Sequence, residues 1–135
     1  MNKKSVTFGV AGCGNIGRRH VHLLNTLEST NLAGIYEVVD SRGKEYSESY
    51  NCRLYDTYQQ MLDDKSVQVV SICTPHGLHA EMSIQASEAG KHVLVEKPMA
   101  LSVEDCNKMI DAARQNDVRL LVVKQNRFNV PIGLT

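Results

Sequence analysis

The sequence predicts a doubly wound α/β fold, a parallel sheet with helices on both faces, and three observations point to it. Short Val- and Ile-rich runs alternate with amphipathic helical stretches along the whole chain. Those runs are too short for typical helices and suit strands covered on both faces. A glycine-rich turn, Gly12-Cys13-Gly14-Asn15-Ile16-Gly17, lies between the first run and the first helical stretch. The 135 residues supply about one domain and one core.

Val6 to Ala11 is the first expected strand. A helix follows Gly14, with Ile16, Leu23, Leu24 and Leu27 on one face and its end near Ser29. Leu32 to Val38 is the second strand. The segment Ser41 to Asn51 is polar and weakly patterned, which predicts a frayed helix, and Arg53 to Tyr55 gives a short third strand. Thr57 and Gln60 open a short helix carrying Tyr58, Met61 and Leu62. Val67 to Ile72 is the fourth strand. Leu78, Met82, Ala86 and Ala89 then repeat at helical spacing, and Gly90 is placed to stop that helix in a left-handed conformation. His92 to Val95 is the fifth strand. Ser102 and Asp105 resemble a capping box, with Asp in place of the usual Glu, ahead of a buried stripe of Val103, Cys106, Met109, Ile110 and Ala113. Leu120 to Val123 is the sixth strand. Strands alternating with helices imply right-handed crossovers, and six of them complete the order 3-2-1-4-5-6 of a Rossmann sheet. No repeat, linker or low-complexity tract interrupts the pattern.

Composition narrows the function. Apolar residues make up 42% and charged residues 22%, close to globular averages. Fifteen Lys and Arg balance fifteen Asp and Glu, a formal charge of zero that argues against nucleic-acid or anionic-membrane partners. No apolar run approaches the ~20 residues that cross a bilayer, and Met1-Asn2-Lys3-Lys4 leads into only a short apolar stretch. Cys13, Cys52, Cys73 and Cys106 are scattered without a C-x-x-C pair, so no metal site is expected, and they read as free thiols in a reducing cytoplasm.

The glycine turn carries the chemistry. Gly12 permits a tight turn, Gly14 lets backbone approach a pyrophosphate, and Gly17 lets helix and sheet pack closely. Asn15 and Ile16 open the helix, whose unpaired N–H groups and positive end suit phosphate. An acid about 20 residues on, at the end of the second strand, would bind the adenosine ribose. Glu37 fills that position, with Asp40 as runner-up. A carboxylate there favours NAD, because a 2′-phosphate would meet like charge. Arg42, swung inward, would instead partner that phosphate and favour NADP.

In an open α/β sheet, ligands bind beyond the carboxyl ends of the strands. After the fourth strand comes Thr74-Pro75-His76-Gly77-Leu78-His79, and after the fifth comes Glu96-Lys97-Pro98. With the glycine turn, these segments make the chain resemble the cofactor domain of the glucose-fructose oxidoreductase and inositol dehydrogenase family, Gfo/Idh/MocA. The Glu-Lys-Pro step is the more specific element, and the resemblance covers essentially the whole chain.

That resemblance implies a two-domain, nicotinamide-dependent oxidoreductase acting on a sugar, nucleotide sugar or cyclitol. It implies that Gly12 to Gly17 hold the pyrophosphate and Glu37 the ribose. Thr74, Pro75, His76 and His79 would lie along the nicotinamide half, with Glu96 near its ribose and Lys97 as the catalytic lysine. Residues 1–124 would be the cofactor domain, and 125–135 the start of a connection in which Asn126 and Arg127 edge the substrate pocket. The run Lys124-Gln125-Asn126-Arg127 also resembles the branch that oxidises nucleotide-activated amino sugar acids. Family members continue into a second domain that usually supplies a catalytic histidine. The chain is therefore expected to be the amino-terminal part of a longer protein, able to bind cofactor but poor at turnover alone. Oligomeric state stays open, a homo-oligomer of the longer protein included.

An ordinary lysine titrates near ~10.4, so general-base work at neutral pH would require a large depression, which a nearby Glu96 would oppose. Lys97 is better suited to orient the reacting hydroxyl as a charged donor and to stabilise developing alkoxide. His79 and His76 are placed for a cofactor contact or for packing, His20 and His22 on the first helix for structural or exposed positions, and Cys73 for the core. Tyr46 and Tyr50, one helical turn apart, are expected to cover a surface. Two alternatives remain from the residues alone. A cofactor-sensing module would keep the turn and Glu37 without needing Lys97, and a methyltransferase would also place an acid after the second strand. The Gly12-x-Gly14-x-x-Gly17 spacing and Lys97 favour a nicotinamide dinucleotide.

Overall fold

The structure, a computed structural model, describes residues 5–123. Its strands are β1 (Val6–Ala11), β2 (Thr30–Tyr36), β3 (Arg53–Leu54), β4 (Val69–Ile72), β5 (His92–Val95) and β6 (Leu120–Val122). They form one sheet in the order β3-β2-β1-β4-β5-β6, and every pair is parallel. The helices are α1 (Asn15–Thr26), α2 (Asp40–Tyr50), α3 (Tyr58–Asp63), α4 (His79–Glu88) and α5 (Val103–Gln115), with a 3-10 turn at His76–Leu78. This is the expected architecture and strand order.

Successive strand residues point to opposite faces, so the central strands feed two cores. On one face Ala11, Val70, Ile72, Val93 and Val95 pack with Met61, Met82, Ala86 and Met109. On the other, Val10 and Ile35 pack with Val21 and Leu24. β4 is buried at all four positions, the condition its mostly apolar run implies. The one polar side chain in it is Ser71, which is fully buried.

Several element edges differ from expectation for local reasons. β2 runs Thr30–Tyr36 rather than Leu32 to Val38, because its pairing with β1 begins at Val6 and Thr30 and the chain leaves the sheet at Glu37. Val38 is left 76% exposed. α1 stops at Thr26, short of Ser29, where the Thr26 hydroxyl donates to the carbonyls of His22 and Leu23. Its buried stripe is Gly17, Val21 and Leu24, and Leu23 and Leu27 are exposed. α2 is a complete helix rather than a frayed one, ended by Asn51 in the left-handed region. It sits close to the sheet at Gly43, where a Cβ would come within 2.9 Å of Leu54. Tyr46 and Tyr50 are half-buried against the second core.

β4 loses Val67, which is buried ahead of the strand. In α4, Met82 and Ala86 are buried, while Ala89 caps the end of the helix and is exposed, and Leu78 falls in the preceding 3-10 turn. In α5, Met109, Ala112 and Ala113 are buried, whereas Val103 and Ile110 face solvent. Thr57 and Ser102 cap α3 and α5 as expected, accepting from the N–H groups of Gln60 and Asp105. Gly90 adopts φ +79° after α4.

Candidate functional site

The glycine turn assigns a different job to each glycine. Gly12 has φ +90°, and a Cβ there would lie 2.7 Å from the Cys73 backbone, so both conformation and space demand glycine. A Cβ on Gly17 would come within 1.8 Å of the Gly12 carbonyl oxygen, which fixes α1 tightly against the turn. A Cβ on Gly14 would meet nothing within 4 Å. Gly14 therefore faces open space, as backbone that a ligand approaches must. It is also the N-cap of α1 and brings no side chain to satisfy the helix end. The first bond back to the turn is Arg18 N–H to the Gly14 carbonyl, which leaves the N–H groups of the first turn, Asn15, Ile16 and Gly17, without intrahelical partners. Such groups at the positive end of a helix bind anions.

Glu37 closes the adjoining side. Its Oε1 accepts the Cys13 N–H at 2.8 Å, and its Oε2 accepts the Val39 N–H at 2.9 Å. Arg42 Nη1 stands 3.5 Å from Oε1, so the arginine does lie inward and is paired with the acid. Asp40 begins α2 and is exposed. Gly12, Gly14, Asn15, Ile16, Glu37, Thr74, Pro75 and His76 all line one cavity of about 600 Å³, together with Arg42, Val38, Leu78 and Tyr58. That volume is in the range of small-molecule and cofactor sites.

A second cavity of about 180 Å³ adjoins it at the ends of β4 and β5, shared by Ile16, Thr74, His76, His79, Glu96 and Lys97. The Thr74 Oγ1 is buried with no hydrogen-bond partner among the described residues. An orphaned hydroxyl here, beside a glycine with open space and a row of free N–H groups, fits a dinucleotide lying across the strand ends.

The predicted residues come together with distinct roles. Gly17 packs behind the turn rather than lining the large cavity. His79 is fully buried, each ring nitrogen 2.8 Å from a backbone carbonyl oxygen, Pro98 on one side and Thr74 on the other. It braces the loop after β4 against the loop after β5, and its nitrogens are taken. Lys97 is exposed and precedes Pro98 through a cis peptide. Asn126 and Arg127, with Lys124 and Gln125, lie outside the described residues.

His20 is the functional candidate that sequence reasoning missed. It is neither exposed nor idle: its Nε2 lies 2.7 Å from Glu96 Oε1, and its Nδ1 meets Ser71 Oγ. Two signals were present in the sequence. His20 falls three residues after Gly17 on the sheet-facing stripe of α1, and Ser71 interrupts an apolar strand on the same face.

Burial pushes the Cys13 and Cys73 thiols up to about 12, with the Glu37 carboxylate adding to the effect at Cys13. Both stay protonated at neutral pH and are poor nucleophiles. Among the described residues no group of three His, Cys, Asp or Glu gathers to hold a metal, and no helix is long and apolar enough to cross a membrane.

Comparisons with known proteins place the fold in a family. A family model described as an oxidoreductase family with an NAD-binding Rossmann fold, Gfo/Idh/MocA, matches residues 6–124. An uncharacterized oxidoreductase of Bacillus subtilis, YrbE, is 32% identical over 127 residues, covering 93% of this chain and 37% of the relative. An inositol 2-dehydrogenase of Salmonella typhimurium is 30% identical over 118 residues, covering 85% and 35%. The crystal structure of the WlbA dehydrogenase from Bordetella pertussis, in complex with NADH and UDP-GlcNAcA, matches with a TM-score of 0.91 and 32% identity, covering 97% of this chain and 40% of that one. The chain thus spans about a third of the length of the curated relatives it matches.

Proposed function

The chain belongs to the Gfo/Idh/MocA oxidoreductase family as its NAD-binding Rossmann domain, and from that premise we propose that it forms the cofactor half of a dehydrogenase acting on a carbinol carbon of a sugar, nucleotide sugar or cyclitol. The single observation carrying this reading is the continuity of one site. Open backbone at Gly14, a carboxylate fixed at Glu37 and a lysine at the end of β5 line two adjoining cavities.

The first-turn N–H groups of α1 would hold the pyrophosphate, and Glu37 would accept from the adenosine ribose hydroxyls. Thr74, Pro75 and His76 flank the nicotinamide half, with Glu96 and Lys97 at its end. A nicotinamide held there would supply the redox chemistry, taking two electrons and one hydrogen from the carbinol carbon, or returning them, as alcohol and carbonyl interconvert. Lys97 donates a charged hydrogen bond to the reacting oxygen, orienting the hydroxyl and stabilising alkoxide character. The hydroxyl proton goes to a base that the family resemblance places in a second domain; His79 and His20, whose ring nitrogens are engaged, are not suited to take it. Sugar-type substrates are supported by what the similar proteins are described as acting on or binding, inositol and UDP-GlcNAcA. Asn126 and Arg127 edge the substrate pocket in this reading. The free thiols of all four cysteines suit the cytoplasm, where NAD is supplied.

Calorimetric titration with NADH, NADPH and S-adenosylmethionine tests the cofactor reading. NADH is expected to bind tightest. Binding of the methyl donor alone would overturn it.

A further inference from the structure

A buried carboxylate stays ionised only where donors replace its water. Glu96 is 7% exposed, and a single ring supplies it: Oε1 lies 2.7 Å from His20 Nε2, while Nδ1 of the same ring meets Ser71 Oγ. The three side chains come from the residue following β5, from α1 and from β4, so the chain of bonds ties three elements together near the strand ends. A carboxylate only accepts, so His20 Nε2–H is the donor. Ser71 is suited to either state of the ring, donating to Nδ1 when it is bare and accepting from it when it carries a proton. Glu96 is thereby anchored without using Lys97, its neighbour in the small cavity.

We infer that His20 is a positioning residue that holds the Glu96 carboxylate as a fixed anion at the nicotinamide end of the site, and that this pair sets the preference for oxidised over reduced cofactor. The inference rests on the dinucleotide reading given above. The oxidised nicotinamide ring carries a positive charge and the reduced ring carries none, so an anion held nearby attracts only the first. Across a partly buried site such a difference is worth about tenfold in affinity.

The test is a set of dissociation constants for NAD+, NADH and ADP-ribose, measured at about pH 8 on the full chain and on Glu96→Gln and His20→Phe. ADP-ribose lacks the nicotinamide and reports on the glycine turn and Glu37 alone. Glu96→Gln is expected to weaken NAD+ about tenfold while NADH and ADP-ribose hold within about threefold. His20→Phe is expected to move the NAD+ to NADH ratio the same way, since the loosened carboxylate no longer faces the ring. Should His20→Phe not fold, Ser71→Ala, which removes the ring's second anchor, is read in its place. Equal losses for NAD+ and NADH, or none, in Glu96→Gln would overturn the inference, as would an unmoved ratio in the His20 or Ser71 variant. If ADP-ribose does not bind the unaltered chain, the cofactor reading fails first and takes this inference with it.

Discussion

The Cys13 N–H donates to Oε1 of Glu37 at 2.8 Å, tying the second residue of the glycine turn to the acid that follows β2. The acid is thus part of the turn's own structure, and its second oxygen holds the chain's exit toward α2 through Val39. Glu37→Ala leaves two N–H groups without partners and is expected to cost about 2 kcal/mol in unfolding free energy. It also removes the charge that repels a 2′-phosphate and frees Arg42, which stands 3.5 Å away. NADH affinity should fall about tenfold or more, and the NADPH to NADH affinity ratio should rise. Parallel titrations with the two cofactors check this, and an unchanged ratio contradicts it.

Two glycines of the same turn should separate folding from binding. Gly17→Ala places a Cβ 1.8 Å from a backbone oxygen, so α1 must move, and a loss of about 3 kcal/mol or failure to fold is expected. Gly14→Ala meets nothing within 4 Å and should hold stability within about 1 kcal/mol. In the proposed reading, however, its methyl group projects where the pyrophosphate approaches, so cofactor affinity should fall sharply. Urea unfolding read beside NADH titration distinguishes the two variants.

Asp64, a carboxylate away from the site, contributes to acid stability. Tyr55 Oη donates to Asp64 Oδ2 at 2.6 Å, and the Ser66 hydroxyl and N–H both donate to Oδ1. These bonds, Tyr55 first, hold the Asp64 carboxyl at about 2. The folded value lies below the unfolded one of ~3.9, so the stabilisation is present above about pH 4 and is lost as pH falls toward 2. Solvent reaches this side chain, and the contribution is discounted to about 1 kcal/mol. Urea midpoints measured from pH 6 down to 2 should fall across that window. Asp64→Asn should lower the midpoint at pH 6 and flatten the fall.

The strand order was legible because mostly apolar runs alternate with helical stretches, and β1 and β5 match the expected limits residue for residue. The helix faces were less legible. Leu23, Leu27, Val103 and Ile110 fit a helical period, yet the sheet takes only the stripes centred on Val21 with Leu24 and on Met109 with Ala113. Periodicity offers several overlapping stripes, and tertiary packing selects among them. At the site, glycine spacing and Glu37 were legible because their roles are local to one strand–turn–helix unit. The His20–Glu96 pair was not, since 76 positions separate the two residues and only the parallel sheet joins them. His79 was readable as a histidine near the site, but not as a brace, because its carbonyl partners belong to two different loops.

Lys97 carries the most direct prediction. It is exposed at the end of β5 beside Glu96, whose carboxylate is engaged by His20, and among the described residues no ion pair occupies its ammonium. A lysine so placed keeps its charge available to a substrate oxygen, whereas one paired with its neighbour would not. In the full-length protein Lys97→Ala should therefore reduce kcat by about 10²- to 10³-fold, the scale of losing one preorganised donor to a developing oxyanion. NADH affinity should stay within about threefold, because the residues proposed to hold the pyrophosphate and ribose lie at the other end of the cavity. Lys97→Arg should recover only part of the rate, since its planar fork replaces a compact point donor. Steady-state turnover against a panel of sugars, nucleotide sugars and cyclitols, run beside NADH titrations, provides the check. Unaltered kcat in Lys97→Ala would remove the lysine from the chemistry and leave it a solvated residue next to Pro98.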